Sequence, residues 1–236
     1  MFFLDRTLPF LVENLALDEA LLLDAEAGGP EVLRVWQWSA RAVILGAGGR
    51  IADDVNEERC RADSVALGRR SSGGGTVLLG PGCLLFALVL AFDRDPALSQ
   101  IPSSYRYILG RIAHGLGPLT GVDLRGCSDL ASLERKVSGN AQQRKRTHLL
   151  HHGTLLYAFD ADQPARYLKQ PHRQPEYRHG RSHRDFLTNL PTGADALKRC
   201  LRIAWEANEE MTEWPEDTVR KLVDEKYSRE EWIRRR

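Results

Sequence analysis

The stretch Arg69-Arg70-Ser71-Ser72-Gly73-Gly74-Gly75-Thr76-Val77 puts three consecutive glycines beside two fixed positive charges. Glycine tolerates positive φ and lets another group approach the main chain closely. Three in a row can turn successive N–H groups into one concavity, and such nests hold anions. Arginine adds a charge that does not titrate and a fork matched to phosphate or carboxylate. One reading is a cradle for a phosphate or acyl-adenylate. The other is a flexible hairpin with solvated arginines. Neither GxGxxG nor GxxxxGK[ST] spacing is present, so the common nucleotide loops are disfavoured.

Two further stretches carry candidate chemistry. Arg135-Lys136-Val137-Ser138-Gly139-Asn140-Ala141 sets a lysine beside a Ser-Gly-Asn turn in strand-like sequence. An interior glycine in a strand marks a bulge or a close approach. Lys136 is placed to neutralise an α-phosphate or a developing oxyanion, or it is a surface lysine on an edge strand. His151-His152-Gly153-Thr154-Leu155-Leu156 follows. His151 and His152 point to opposite faces of a strand, which argues against a metal site there. The four cysteines, Cys60, Cys83, Cys127 and Cys200, form no CxxC pair. They read as reduced thiols of a cytoplasmic protein rather than as a zinc site or a disulfide framework. Cys127, nine positions before Lys136, could be activated by the nearby ammonium, or it is an incidental loop thiol. Cys83 is a lesser candidate, and Cys60 and Cys200 read as packing residues.

These residues need a scaffold. Residues 12–27 read as a helix stopped by Gly28-Gly29. Residues 32–38 and 42–46 read as a hairpin around Ser39-Ala40-Arg41. A helical stretch (53–63) leads to 65–70. Residues 76–79 and 84–92 are strand-like and split by Gly80-Pro81-Gly82, and 103–116 reads as a helix. DLASL, KVSGNAQQ and THLLHHGTLLYAF read as three strands, the last two joined by a turn at Arg144-Lys145-Arg146. Two helical runs follow after residue 190. Short turns imply antiparallel ladders, so an α+β fold with a mostly antiparallel sheet flanked by helices is expected. The 33 basic and 32 acidic residues leave a net charge of +1, which argues against a general nucleic-acid binder. No apolar run approaches a membrane span, and MFFLDRTLPF does not read as a secretory signal.

Taken together, the three stretches resemble the lipoate-protein ligase and octanoyltransferase family, which shares its catalytic fold with biotin-protein ligases. RRSSGGGTV (69–77) resembles its Arg-Arg-x-Ser-Gly-Gly-Gly block, RKVSGNAQQRKR (135–146) its Lys-x-Ser-Gly-x-Ala block, and HHGTLL (151–156) its His-Gly-Thr-Leu block. NLALDEALL (14–22) resembles the usual opening helix. The likeness runs from about residue 10 to 160. It implies a class II aminoacyl-tRNA-synthetase-like sheet in a single catalytic domain over 1–236, with 190–236 as a helical extension. It implies that Ser72, Gly73, Gly74, Gly75 and Thr76 cradle an acyl-nucleotide or acyl-thioester, with Arg70 near its phosphates. Lys136 would contact the reactive carbonyl or α-phosphate, with Ser138, Gly139 and Asn140 beside it. His152, Gly153 and Thr154 would line the acyl channel. No metal ligands are implied.

The family holds two chemistries. Ligases form an acyl-adenylate from ATP, with Mg²⁺, and pass lipoate or octanoate to a lysine of a lipoyl domain, in a 2-oxoacid dehydrogenase or the glycine cleavage H protein. Transferases take octanoate from acyl carrier protein without a cofactor, some through a cysteine for which Cys127 is the candidate. The ligase reading leads. Against it, ligases follow the glycine run with His-Asp-x-Gly-Asn, whereas Leu78-Leu79-Gly80-Pro81-Gly82-Cys83 stands here and resembles the one-step transferases. A non-catalytic binder of a lipoyl-type ligand or carrier protein is a third reading. The basic residues of 174–186, QPEYRHGRSHRDF, either touch an acidic carrier protein or form a solvated connection.

Overall fold

The computed structural model describes residues 1–117, 121–171 and 173–236. Helices and strands follow in chain order as β1 (Phe2–Asp5), α1 (Leu11–Glu26), β2 (Val32–Gln37), β3 (Ala42–Leu45), α2 (Ile51–Asp54), α3 (Glu57–Ala62), β4 (Ala66–Arg69), β5 (Val77–Leu79) and β6 (Cys83–Ala91). The second half contributes α4 (Ile101–Leu116), β7 (Asp123–Arg125), β8 (Asp129–Ser132), β9 (Arg135–Arg144), β10 (His148–Leu156), α5 (Pro164–Tyr167), α6 (His183–Phe186), α7 (Ala194–Ala204), β11 (Glu209–Glu210), α8 (Glu216–Leu222) and α9 (Glu230–Ile233).

The strands form an eight-stranded sheet, ordered β11-β1-β2-β6-β10-β9-β8-β7, and a three-stranded sheet, β4-β3-β5. The large sheet is antiparallel from β2 to β7, and β1 runs parallel to both β2 and β11. This is the expected α+β class. One expectation fails. Residues 32–38 and 42–46 both contain strands but do not pair with each other. β2 lies between β1 and β6 in the large sheet, whereas β3 pairs with β4 and β5 in the small one. The turn at Ser39–Arg41 carries the chain between sheets. Local turn chemistry cannot distinguish that crossing from a hairpin. The pairing is decided by what α1 has to cover.

α1 is buried nearly all round. Leu15, Ala16, Leu17, Ala20, Leu21 and Leu22 share one apolar cluster with Trp36, Leu85 and Val89 of the large sheet and with Ala42, Ile44 and Leu79 of the small one. The helix is therefore the layer between the two sheets. Gly68 of β4 permits this packing, since a Cβ there would stand 3.0 Å from Leu15 Cδ1. The opposite face of the large sheet packs on α4 and α7 through Phe86, Leu88, Ile108, Ile112, Leu197 and Trp205.

Polar residues are also built into α1. Asn14, Asp18 and Glu19 are buried, as is Arg34 of β2. Arg34 Nη1 donates to Asp18 Oδ1 at 2.5 Å and Nη2 to Asn14 Oδ1 at 2.7 Å. Burial works against both charges of the Asp18–Arg34 pair, but the Arg34 charge and hydrogen bonds from His152 and Arg34 keep the Asp18 carboxyl below its usual range. A buried pair persists when its remaining hydrogen-bonding groups are also met. Here Asn14 supplies part of that set.

His151 sits fully buried on the α4 side of β10, against Phe86 and Tyr105 with ring centroids 6.1 and 5.4 Å away. Gln142 Nε2 lies 3.1 Å from its Nδ1. Burial, then the neighbouring His152, holds its pKa down to about 3. His151 thus folds neutral, while the unfolded chain takes up a proton near pH 6.5. Its contribution to stability is full above that pH and is lost as pH falls toward the folded pKa. Calorimetry of wild type and His151→Gln between pH 7 and 4 should show the wild type losing stability more steeply as pH falls, by up to about 1.4 kcal/mol per pH unit. Parallel profiles would show that this imidazole does not govern acid stability.

Candidate active site

β9 and β10 form the floor of the site. Directly paired residues share a face, so Ala141 and His152 lie on the α1 side, and Asn140 and Gly153 lie on the α4 side. Strict alternation would put Lys136 on the α4 side with Ser138 and Asn140. The ladder shows otherwise. Asp129 pairs with Gly139 and Leu130 with Ser138, but Ala131 pairs with Lys136, so β9 carries one extra residue opposite the Leu130/Ala131 step. Such a bulge re-aims the side chains beyond it. Lys136 is thereby turned onto the face of Gly139 and Ala141. The hairpin turn that feeds it, Leu133-Glu134, holds both residues in the left-handed region, at φ 47° and 63°. That is the geometry of a tight primed turn, made here without the usual Asn or Gly.

The ammonium is then fixed from two directions. Lys136 Nζ lies 2.8 Å from Asp129 Oδ1. Asp129 Oδ2 accepts from Tyr177 Oη at 2.8 Å. Beneath it, Gly139 has no side chain, and a Cβ there would come within 2.9 Å of both Lys136 Cε and Nζ. Burial, then Asp129, pushes the Tyr177 hydroxyl far above its usual range, so it donates to the carboxylate throughout the working pH range. The segment carrying Tyr177 also brings His183 near Lys136. Burial, then the charges of Arg178 and Lys136, lowers its pKa to about 4, and it adds no positive charge at neutral pH. QPEYRHGRSHRDF therefore includes part of the wall of this site. Its Arg181 donates to the Glu134 carbonyl, and the carbonyls of Arg184 and Leu187 accept from Arg135.

The glycine run leans on the same face of β9. A Cβ at Gly74 would touch Ala141 Cβ at 3.7 Å, and Gly74 has φ +88°. Ala141 and Gly139 are two residues apart on one face, roughly 7 Å along the strand. The cradle and the ammonium thus lie over neighbouring positions on the same face of β9. Gly73 and Gly75 are exposed, and their missing side chains face open space.

The arginines beside the run are employed internally. Arg70 is buried, and its Nη2 donates to the carbonyls of Gly73 (2.6 Å) and Gly75 (2.8 Å). Burial lowers its pKa to about 10. It braces the loop from behind. Its Nε also donates to Ser72 Oγ at 3.0 Å. Ser72 Oγ in turn lies 2.6 Å from His152 Nε2, and His152 Nδ1 lies 3.0 Å from Asp18 Oδ2. One proton arrangement satisfies the whole chain. His152 Nδ1–H donates to Asp18, the Ser72 hydroxyl donates to Nε2, and Arg70 donates to the hydroxyl oxygen. The types match a Ser-His-Asp triad, but Ser72 is 1% exposed. The network locks the loop to β10 and α1, and does not present a nucleophile.

The other expected residues divide. Thr76 Oγ1 donates to Asp54 Oδ2 at 2.6 Å at the outer end of the loop. Asn140 Nδ2 donates to the Ser128 carbonyl (2.8 Å) and to Ser138 Oγ (3.0 Å), so both residues fasten β8 to β9 from the α4 side. Gly153 gives Asn140 its space, since a Cβ there would lie 1.9 Å from Asn140 Oδ1. Thr154 hydrogen-bonds the Cys83 thiol, which is buried and pushed up to about 12 by that burial. Cys83 is a packed thiol. Cys127 is exposed, two residues before Asp129. Sequence reading did not single out Asp18, Asp129 or Tyr177. The signals were modest: an acidic residue inside the apolar α1 pattern, and another next to the candidate lysine strand.

Among the described residues no cluster of three His, Cys, Asp or Glu side chains is arranged to hold a metal ion, and no helix is long and apolar enough to cross a membrane.

Residues 11–199 match the family model of the lipoyl protein ligase A/B catalytic domain, and the chain belongs to that family. It is 28% identical to octanoyltransferase LipM of Carboxydothermus hydrogenoformans, over 94% of this chain and 93% of that protein. It is 26% identical to lipoate-protein ligase A subunit 1 of Thermoplasma acidophilum, over 93% and 90%. Among solved structures, the bi-partite lipoate protein ligase of T. acidophilum with its E2 lipoyl domain superposes with a TM-score of 0.84 at 25% identity, over 99% of this chain and 95% of that one. A lipoate-protein ligase A bound with ATP also gives 0.84, at 26% identity, over 99% and 98%. The chain is an enzyme of the lipoate ligase and octanoyltransferase group.

Two glycines distinguish site from scaffold. Gly139→Ala should displace only the flexible end of Lys136, lowering turnover at least tenfold with a small change in melting temperature. Gly153→Ala drives a methyl into Asn140 and the Gly139 carbonyl, and should cost about 1–3 kcal/mol of stability. Chemical denaturation and steady-state kinetics on both proteins check the contrast.

Proposed function

We propose that this enzyme attaches lipoate or octanoate to a lysine of a lipoyl domain through an acyl-adenylate. The observation that carries the reading is the Lys136 ammonium, turned by the bulge onto the face where Gly73–Gly75 expose their main chain. A cation beside a bare main-chain cradle suits an activated carboxyl bearing an α-phosphate. The fit to a nucleotide is uneven. Lys136 has a single carboxylate partner and 25% side-chain exposure, so it can turn to a phosphate. Arg69 and Arg70 are already bonded to main-chain carbonyls, so Lys136 is the cation that would meet the ligand first. Mg²⁺ would arrive with the phosphates, as it commonly does where few protein carboxylates hold it. ATP supplies the activation of the carboxylate. The chain itself holds the acyl carboxyl against the glycine amides, balances developing negative charge with Lys136, and steadies the loop through the Asp18–His152–Ser72 hydrogen bonds. The similarity to a ligase seen with ATP, and to one seen with an E2 lipoyl domain, supports this reading and its acceptor.

A second reading rests on Cys127. Its exposed thiol precedes the Asp129–Lys136 pair, and a transferase relative aligns over 94% of the chain. Here octanoyl-acyl carrier protein would be the donor and no ATP would be used. The thiolate would take the octanoyl group as a thioester and release the carrier thiol, and the lipoyl-domain lysine would then take the group from the cysteine.

One assay separates the two. Apo lipoyl domain is incubated with the enzyme and either octanoate, ATP and Mg²⁺ or octanoyl-acyl carrier protein alone, and modification is read by intact mass. The acyl-adenylate reading expects modification in the first mixture. Modification only in the second overturns it. Lys136→Ala should lower either activity by about 10²–10³-fold. Cys127→Ser should leave ATP-dependent modification intact, and abolish transfer if the second reading holds.

A further inference from the structure

The family match ends at residue 199, yet the helices beyond it reach back to the glycine run. α8 and the wide turn Val223–Tyr227 lie along α1, with Val219 and Tyr227 buried in its apolar cluster, and α9 packs on β4 and on that turn, with Trp232 against the same cluster. Tyr227 Oη donates to Glu19 Oε2 at 2.7 Å and is also hydrogen-bonded by the Ser71 side chain. Lys226 Nζ reaches the same Glu19 oxygen at 2.6 Å.

The clasp at Arg69 is reciprocal. Trp232 Nε1 donates to the Arg69 carbonyl at 3.0 Å, and Arg69 Nε and Nη2 donate to the Ile233 carbonyl at 3.0 and 2.8 Å. The remaining arm, Nη1, donates to the carbonyls of Gly46 and Gly49, each at 2.8 Å. The loop so held is tied to the run by Ala47 N–H donating to the Ser72 carbonyl at 2.8 Å. Burial, then the charges of Arg235 and Arg236, lowers the Arg69 pKa, which puts these last arginines at the same spot. Side chains alternate along an extended chain. Arg69 and Ser71 turn to the helices after residue 216, whereas Ser72 turns to His152 of β10. The segment leading into the glycines is gripped from both sides.

We propose that residues 227–233 form a strap that holds the glycine cradle in its ligand-accepting shape, with Trp232 and Tyr227 as positioning residues that act through Arg69 and Ser71. The proposal rests on the functional reading above for its kinetic consequence, but not for its structural one. A fork of three carbonyl acceptors on one buried guanidinium fixes direction as well as distance. The glycines themselves have no side chains to resist motion. Their order therefore comes from both neighbours, and the strap supplies one of them.

The test uses the full chain with Trp232→Phe, which keeps an aromatic ring and removes the N–H donor, Tyr227→Phe, and deletion of 230–236. Amide exchange by mass spectrometry should rise at least tenfold in peptides covering 69–77 for the deletion and about threefold for the point variants, with β6 and β10 unchanged. The KM for octanoate or octanoyl-acyl carrier protein, whichever donor is active, should rise at least fivefold in the deletion, with kcat within about threefold. A deletion that unfolds would expose β6 and β10 as well, and the two point variants then decide. Unchanged exchange at 69–77 in folded variants overturns the strap. Faster exchange with an unchanged KM overturns its role at the site. A wild type inactive with both donors would defeat the functional reading, and the exchange result would still decide the strap.

Discussion

One extra residue in β9 governs the site. Without it, Lys136 would fall on the α4 side of the sheet, the face of the buried Ser138, away from the Asp129 carboxylate, and burying an unpaired ammonium is costly. With it, the ammonium reaches Asp129 and lies across Gly139. The rest of the local architecture follows from that placement. Gly139 is bare because the lysine stem occupies its side-chain space, and the Leu133-Glu134 turn is held in left-handed geometry to start the strand in this register.

The cradle illustrates a second constraint. A run of three glycines carries no side-chain order of its own, and its entropy must be removed by neighbours. Arg70 does this from within by bonding two of the three glycine carbonyls. The Asp18–His152–Ser72 chain does it from the sheet side. Buried polar networks are stabilising only when every member is satisfied. Here Arg70, Ser72, His152 and Asp18 form one continuous chain of hydrogen bonds, and Arg34 balances the Asp18 charge with its Nε left unpartnered. The arginines that look like ligand contacts in the sequence are the scaffold of the loop, and the main chain of Gly73 and Gly75 is left exposed.

This division of labour fits a family with two donors and one acceptor. On the proposed reading both chemistries need an acyl carbonyl held still beside a positive charge, and the cradle with Lys136 would provide both. They differ in what leaves the carbonyl. An adenylate demands compensation for a phosphate. A thioester demands a thiol within reach. On the proposed readings the partly buried Lys136 ammonium would serve the first, and the exposed Cys127, close in sequence to Asp129, the second.

Much of this was written in residue types. The α+β class followed from short strands and short turns. β8, β9, β10 and α1 were legible from periodicity, and the three motif stretches contain Gly74, Lys136, Gly139 and His152, which share one face, but also Ser138, Asn140 and Gly153, which lie on the other. The local pattern also placed His151 and His152 on opposite faces. It did not show which sheet β2 and β3 join, because a turn of three residues serves a hairpin and a crossing equally well. Nor did it place Lys136, since period-2 reasoning puts residue 136 opposite to residue 139 and only the ladder reveals the extra residue. Asp129, Tyr177 and Asp18 became functional neighbours through contacts spanning from 7 to 134 positions of chain. Residue type and spacing determine what each segment can do locally. Which buried partner each charge finds is a property of packing, because only the folded chain sets the distances and the exclusion of water on which such pairs depend.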